Sequence, residues 1–93
     1  MILVLDVGNS QIFCGVFTAT ELVSQFRYAS TSRGTSDEIG VFLRGALREN
    51  GVDPESIDTV AISSVVPELN YTLRSCCQKY FDIEPMILRP GLK

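Results

Sequence analysis

Five residues near the start of the chain, Asp6-Val7-Gly8-Asn9-Ser10, combine the groups that a phosphate-binding turn needs. Phosphate oxygens are held by converging backbone N–H groups, from residues small enough for the main chain to approach closely. The accompanying magnesium ion takes one or two carboxylates and completes its shell with water and phosphate oxygen. Asp6 offers a carboxylate at the end of an apolar run. Gly8 permits close approach and unusual backbone angles, and Asn9 and Ser10 add short polar donors. The same five residues also make an ordinary hairpin turn, in which Asp6 accepts hydrogen bonds from the turn's own amides. Neither standard nucleotide loop is present: no Gly-Lys-Ser/Thr closes the stretch, and no Gly-x-Gly-x-x-Gly opens a helix.

Other residue types narrow the chemistry. The chain has no histidine, which removes serine–histidine triads and histidine general bases. Its cysteines, Cys14, Cys76 and Cys77, are odd in number, two are adjacent, and none has zinc-ligand spacing. They read as free, buried thiols in a reducing compartment. Asp37, Asp53, Asp58 and Asp82 fall at helix or loop positions and read as solvated carboxylates, so no general base can be named. Arg27 either meets a phosphate or a substrate carboxylate, or points to solvent from a strand face. Ser63 and Ser64 stand at the carboxyl end of a strand just before a helix, where they either line a cleft or make local hydrogen bonds. Tyr80 and Phe81 read as core or interface.

The elements that position these groups follow from periodicity. Residues 2–6, apolar on both faces, predict a central strand. Residues 12–17 predict its antiparallel hairpin partner. Residues 22–29 predict a third strand, with Leu22, Phe26 and Tyr28 on one face and Gln25 and Arg27 on the other. A polar loop covers 30–34. Thr35 with Glu38 matches a capping box opening a helix that carries Ile39, Phe42, Leu43, Ala46 and Leu47 on one side. Gly51 stops it. Residues 59–65 predict a fourth strand, and Pro67 opens a second helix faced by Leu69, Leu73, Cys76, Cys77 and Tyr80. Residues 86–89 predict a fifth strand. The order β-β-β-α-β-α-β predicts one α/β unit: a mixed five-stranded sheet with flanking helices and right-handed crossovers.

The net charge of −3 argues against a nucleic-acid partner, which would need a basic face. No apolar run reaches the ~20 residues of a membrane span, and the start lacks a signal-peptide pattern, so a cytoplasmic location is expected. The final "ILRPGLK" ends a few residues past a strand, as a longer chain cut in a loop would.

A DxGN/S turn joining the first two strands of such a unit resembles the acetate kinase/sugar kinase/Hsp70/actin superfamily, with its ribonuclease H-like (actin-like ATPase) half-domain. Within it the chain is similar to type III pantothenate kinases. "DVGNS" at 6–10, the passage from Arg27 to "TSDE" at 35–38, "SSVVP" at 63–67 and the terminal "GLK" carry the resemblance over all 93 residues. "DVGNS" is widely shared among such kinases, whereas "SSVVP" at this distance from it is much more specific. The resemblance implies ATP-dependent phosphorylation of pantothenate, the first step toward coenzyme A. It implies ATP contacts along Asp6, Val7, Gly8, Asn9, Ser10, Gln11, Ile12 and Phe13, with Asp6 placing Mg2+. A monovalent cation (K+ or NH4+) and a homodimer are implied as well. The family's catalytic Gly-x-Asp-Arg motif is absent from this sequence, so the 93 residues are expected to be an inactive N-terminal half. A cut through such a fold exposes an apolar face, which predicts self-association or poor solubility. A non-catalytic binding or regulatory relative, or a small α/β domain whose hairpin does no chemistry, are the competing expectations.

Overall fold

The computed structural model describes residues 1–29 and 34–88. All of the expected loop at 30–34 except Gly34, and Arg89 with the terminal "GLK", lie outside them. Among the described residues there are five strands, β1 (Ile2–Val7), β2 (Gln11–Phe17), β3 (Leu22–Ala29), β4 (Thr59–Ser64) and β5 (Met86–Leu88). Two helices accompany them, α1 (Ser36–Glu49) and α2 (Asn70–Phe81). One sheet runs in the order β3-β2-β1-β4-β5. β1 is central: it pairs antiparallel with β2 and parallel with β4, and β4 pairs parallel with β5.

Register separates the two faces, because directly paired residues point the same way. Leu3, Leu5 and Val7 of β1, Ile12, Cys14 and Val16 of β2, and Val60 and Ile62 of β4 share one face and are almost fully buried. The helices supply the opposing layer, with Ile39, Leu43 and Leu47 from α1 and Leu73, Cys76 and Cys77 from α2. Burial of these side chains is the main source of stability, at about 1.5–3 kcal/mol for each large aliphatic group. On the other face lie Ile2, Val4, Asp6, Phe13, Gly15, Phe17, Ala61 and Ser63, and no described helix covers it.

The helix ends are set by local chemistry. The Thr35 side chain accepts the Glu38 N–H at 3.1 Å, and the Glu38 carboxylate accepts the Thr35 N–H at 2.8 Å, so the capping box forms as expected. Gly51 adopts φ +78°, a left-handed stop that glycine takes without strain. Asp82 closes α2 at φ 55° without being glycine.

Two expectations require correction. Leu22 does not share a face with Phe26 and Tyr28. A bulge interrupts the β2–β3 register between Val16 and Phe17, so that Val16 pairs with Ser24 while Phe17 pairs with Leu22. The extra residue, Val23, turns Leu22 onto the helix-free face beside Phe17, where it is 47% exposed. Pro67 does not open α2 directly. It starts a 3-10 turn, Pro67–Leu69, and the α-helix begins at Asn70.

Candidate active site

All three parallel strands, β1, β4 and β5, end at the same edge of the sheet. From β1 the chain goes one way through β2 and β3, and from α1 onward it goes the other way through β4 and β5. Open α/β sheets bind ligands at the carboxyl ends of their parallel strands, where the strand order reverses. Asp6 to Gln11 and Ser63 to Pro67 meet there. They are fastened by the Val65 N–H, which donates to the Val7 carbonyl at 3.1 Å.

The eight residues from Asp6 to Phe13 divide by face. Val7 and Ile12 are each 1% exposed and point into the core, so only their main chain can meet a ligand. Asp6, Gln11 and Phe13 point to the helix-free face. Gly8 N–H donates to the Gln11 carbonyl at 2.9 Å and closes the turn. Among the described residues nothing accepts from the N–H groups of Asn9 and Ser10, both at the exposed tip. These two amides, rather than that of Gly8, are the available anion donors.

Asp6 is where a plain turn and a ligand site would differ. If the carboxylate served the hairpin, it would accept hydrogen bonds from the turn's amides. Among the described residues it makes no hydrogen bond and no ion pair, and it is exposed. Gly8 differs from expectation, because its φ is not positive. A Cβ placed on it would lie 3.4 Å from the Gln11 carbonyl oxygen, an ordinary contact. The folded hairpin therefore does not itself require glycine there.

The neighbouring candidates sort cleanly. Ser63 pairs with Asp6 in register and shares its face. Ser64 is buried, and its hydroxyl accepts the Val66 N–H at 3.0 Å and donates to the Val66 carbonyl at 3.1 Å, so it holds the β4–α2 bend. Tyr80 and Phe81 are structural: the Tyr80 ring packs on Gly40, and the Arg44 guanidinium lies 5.7 Å from the Phe81 ring centre.

The four remaining aspartates are exposed; the carboxylates of Asp37, Asp53 and Asp58 have partners, whereas that of Asp82 has none among the described residues. Asp37 binds Lys79 and the Tyr80 hydroxyl, each at 2.8 Å. Asp53 accepts the Glu55 N–H, Asp58 lies 3.7 Å from the N-terminal ammonium, and Asp82 closes α2. Sequence periodicity does not reveal the long-range partners: Tyr80 lies 43 residues from Asp37, and the N-terminal ammonium meets Asp58 from the start of the chain. The three cysteines are free and buried, as expected. Burial pushes the Cys14 thiol up to about 12, far from a reactive thiolate.

No cluster of three or more carboxylate, thiol or imidazole groups forms among the described residues. A magnesium ion fits this setting only as such ions bind nucleotides, through a lone carboxylate with water and phosphate oxygen filling the shell. An exposed, unengaged Asp6 beside two free amides meets that requirement.

A helix-backed mixed sheet of this order, with a polar hairpin on its carboxyl edge, is an α/β unit of the actin-like ATPase fold. The ROK hexokinase from Thermus thermophilus superposes with a TM-score of 0.69 at 17% identity, over 95% of this chain and 33% of that one. The sequence profile of type III pantothenate kinase matches residues 2–93, and the chain belongs to that family. Proteins named type III pantothenate kinase from Elusimicrobium minutum and from Legionella pneumophila strain Paris are each 53% identical over all 93 residues, which cover 36% of each. Type III pantothenate kinase 1 of Francisella tularensis strain SCHU S4 is 57% identical over 89 residues, or 95% of this chain and 34% of that protein. The chain thus spans about a third of the length of these relatives. No described helix is long and apolar enough to cross a membrane.

Proposed function

We propose that residues 1–93 are the N-terminal actin-like ATPase subdomain of a cytoplasmic type III pantothenate kinase, which transfers a phosphoryl group from ATP to pantothenate. The observation that carries the reading is the unengaged Asp6 carboxylate at the carboxyl edge, next to the free amides of Asn9 and Ser10. In this reading Asp6 orients Mg2+, and the two amides hold a phosphate oxygen. Gly8 keeps the main chain low enough for a phosphate to approach. Bound magnesium supplies charge neutralisation for the phosphates. Phosphoryl transfer needs little from the protein beyond such placement and countercharge. The general base, the adenosine contacts and the monovalent-cation site belong to the part of the kinase outside these residues, as does the pantothenate pocket near a homodimer interface.

The test is ATP-dependent phosphorylation of pantothenate by the full-length kinase carrying this sequence, by its Asp6→Asn variant and by residues 1–93 alone. Full-length activity, a folded but strongly impaired Asp6→Asn protein and a silent 93-residue chain are the expected results. An inactive full-length protein, or an Asp6→Asn variant indistinguishable from the parent, overturns the reading.

A further inference from the structure

Register aligns five residues in one row across the helix-free face. Arg27 on β3 pairs with Phe13 on β2, Phe13 with Asp6 on β1, Asp6 with Ser63 on β4, and Ser63 with Leu88 on β5. Strand spacing puts the Arg27 and Asp6 backbones about 10 Å apart, with Phe13 between them. The Arg27 guanidinium lies over the Phe13 ring at 5.8 Å from its centre, so the aromatic face holds the charge on Asp6's side of the sheet. Arg27 and Asp6 do not close into an ion pair, and neither has another ionic partner among the described residues. Along β3 from the guanidinium, away from the hairpin tip, is an open groove of about 260 Å3 lined by Phe13, Gln25, Phe26 and Arg27; Asp6 is not in its lining.

We propose that Arg27 binds the terminal phosphate of the nucleotide, a role that rests on reading the Asp6 hairpin as a phosphate seat. Arginine presents a planar fork of N–H donors that matches phosphate oxygens, and it keeps its charge at any working pH. Phe13 fills the row between the carboxylate and the guanidinium, so a compact anion reached by Arg27, and by a cation on Asp6, would lie above that ring. The same chemistry would serve a substrate carboxylate; the row shared with Asp6, read as the magnesium-orienting carboxylate, favours the phosphate.

The experiment is steady-state kinetics of the full-length kinase with ATP and pantothenate varied separately, on Arg27→Gln, Arg27→Lys and Asp6→Asn. Loss of a charge-assisted contact lowers kcat/KM for ATP in Arg27→Gln by about 10- to 100-fold, with KM for pantothenate little changed. Inhibition by ADP, which lacks the terminal phosphate, is expected to be retained. Arg27→Lys recovers part of the loss, because it keeps the charge without the fork. If Arg27→Gln melts early, Arg27→Met, which keeps an apolar stem over Phe13, takes its place in every comparison. Unchanged ATP kinetics in Arg27→Gln beside an impaired Asp6→Asn overturns this inference and leaves the hairpin reading intact. A raised KM confined to pantothenate also overturns it, since Arg27 then serves the substrate's carboxylate. Unchanged ATP kinetics in both variants removes the hairpin reading itself, and this inference with it.

Discussion

The ring of Tyr80 lies on the backbone of Gly40, so that a Cβ built at Gly40 would overlap the ring, reaching within 2.7 Å of its Cε2 atom. This contact sets how closely α1 and α2 approach above the sheet. Gly40→Ala is therefore expected to destabilise the protein. Overpacking costs about 1–3 kcal/mol, more than the ~1 kcal/mol by which alanine exceeds glycine in a helix. Urea unfolding in wild-type and Tyr80→Ala backgrounds checks it. The penalty should vanish when the ring is gone, and an equal penalty in both backgrounds would place its origin elsewhere.

Gly8 poses the opposite case. Its φ is not positive and a Cβ would meet only an ordinary contact, so Gly8→Ala is expected to shift stability by no more than about 0.5 kcal/mol. Its effect should appear in the KM for ATP of the full-length kinase, because the added methyl occupies space a phosphate approaches. Thermal unfolding and kinetics on one preparation separate the two. A variant that unfolds early while binding ATP normally would show that glycine serves the turn.

The Asp37 cluster predicts a pH dependence. Hydrogen bonds from Lys79 first and from Tyr80 second, helped by the Lys79 charge, hold the Asp37 carboxyl below its usual 3.8. Its folded-state value being depressed, its contribution is complete above about pH 4 and is lost as the pH falls further. At the alkaline end the bond to Asp37 raises both Lys79 and Tyr80, so their contribution holds below pH 10 and fades above it. All three groups are exposed, which keeps the effect small. Thermal unfolding from pH 2 to 6 should fall less steeply for Asp37→Asn than for the parent. Parallel curves would sink the assignment.

The helix-free face predicts self-association of the 93-residue chain. Leu22 adds exposed apolar area beside Phe17, and Met86 and Leu88 add it at the β5 edge of the same face. Light scattering should report dimers or larger species, reduced by Leu22→Lys or Met86→Lys. A monomer at high concentration would count against the prediction.

Much of this was legible in the sequence, and the exceptions have separate physical causes. Strand and helix positions followed from apolar spacing, and the helix start from Thr35 and Glu38, because those signals lie within one element. The bulge at Val23 is silent in the sequence, since a β-branched residue there continues the strand pattern while shifting its phase. Asp37 looked solvated because its partners lie on another helix. The hairpin was visible as a motif from Asp6 to Ser10. Its division into free amides at Asn9 and Ser10 and a used one at Gly8 depends on a single hydrogen bond within the turn.

The strand order also fixes a sequence of assembly. β1, β2 and β3 pair through short connections, so a chain emerging from its N-terminus can build the Asp6 hairpin from local contacts alone. The other side of β1 waits for a distant partner: Ile2 pairs with Thr59 only after α1 has been made. Until then the central strand of the finished sheet is an open edge, apolar and able to pair with another chain. During synthesis, the segment that becomes the best protected in the native protein is therefore the one most exposed to misassembly.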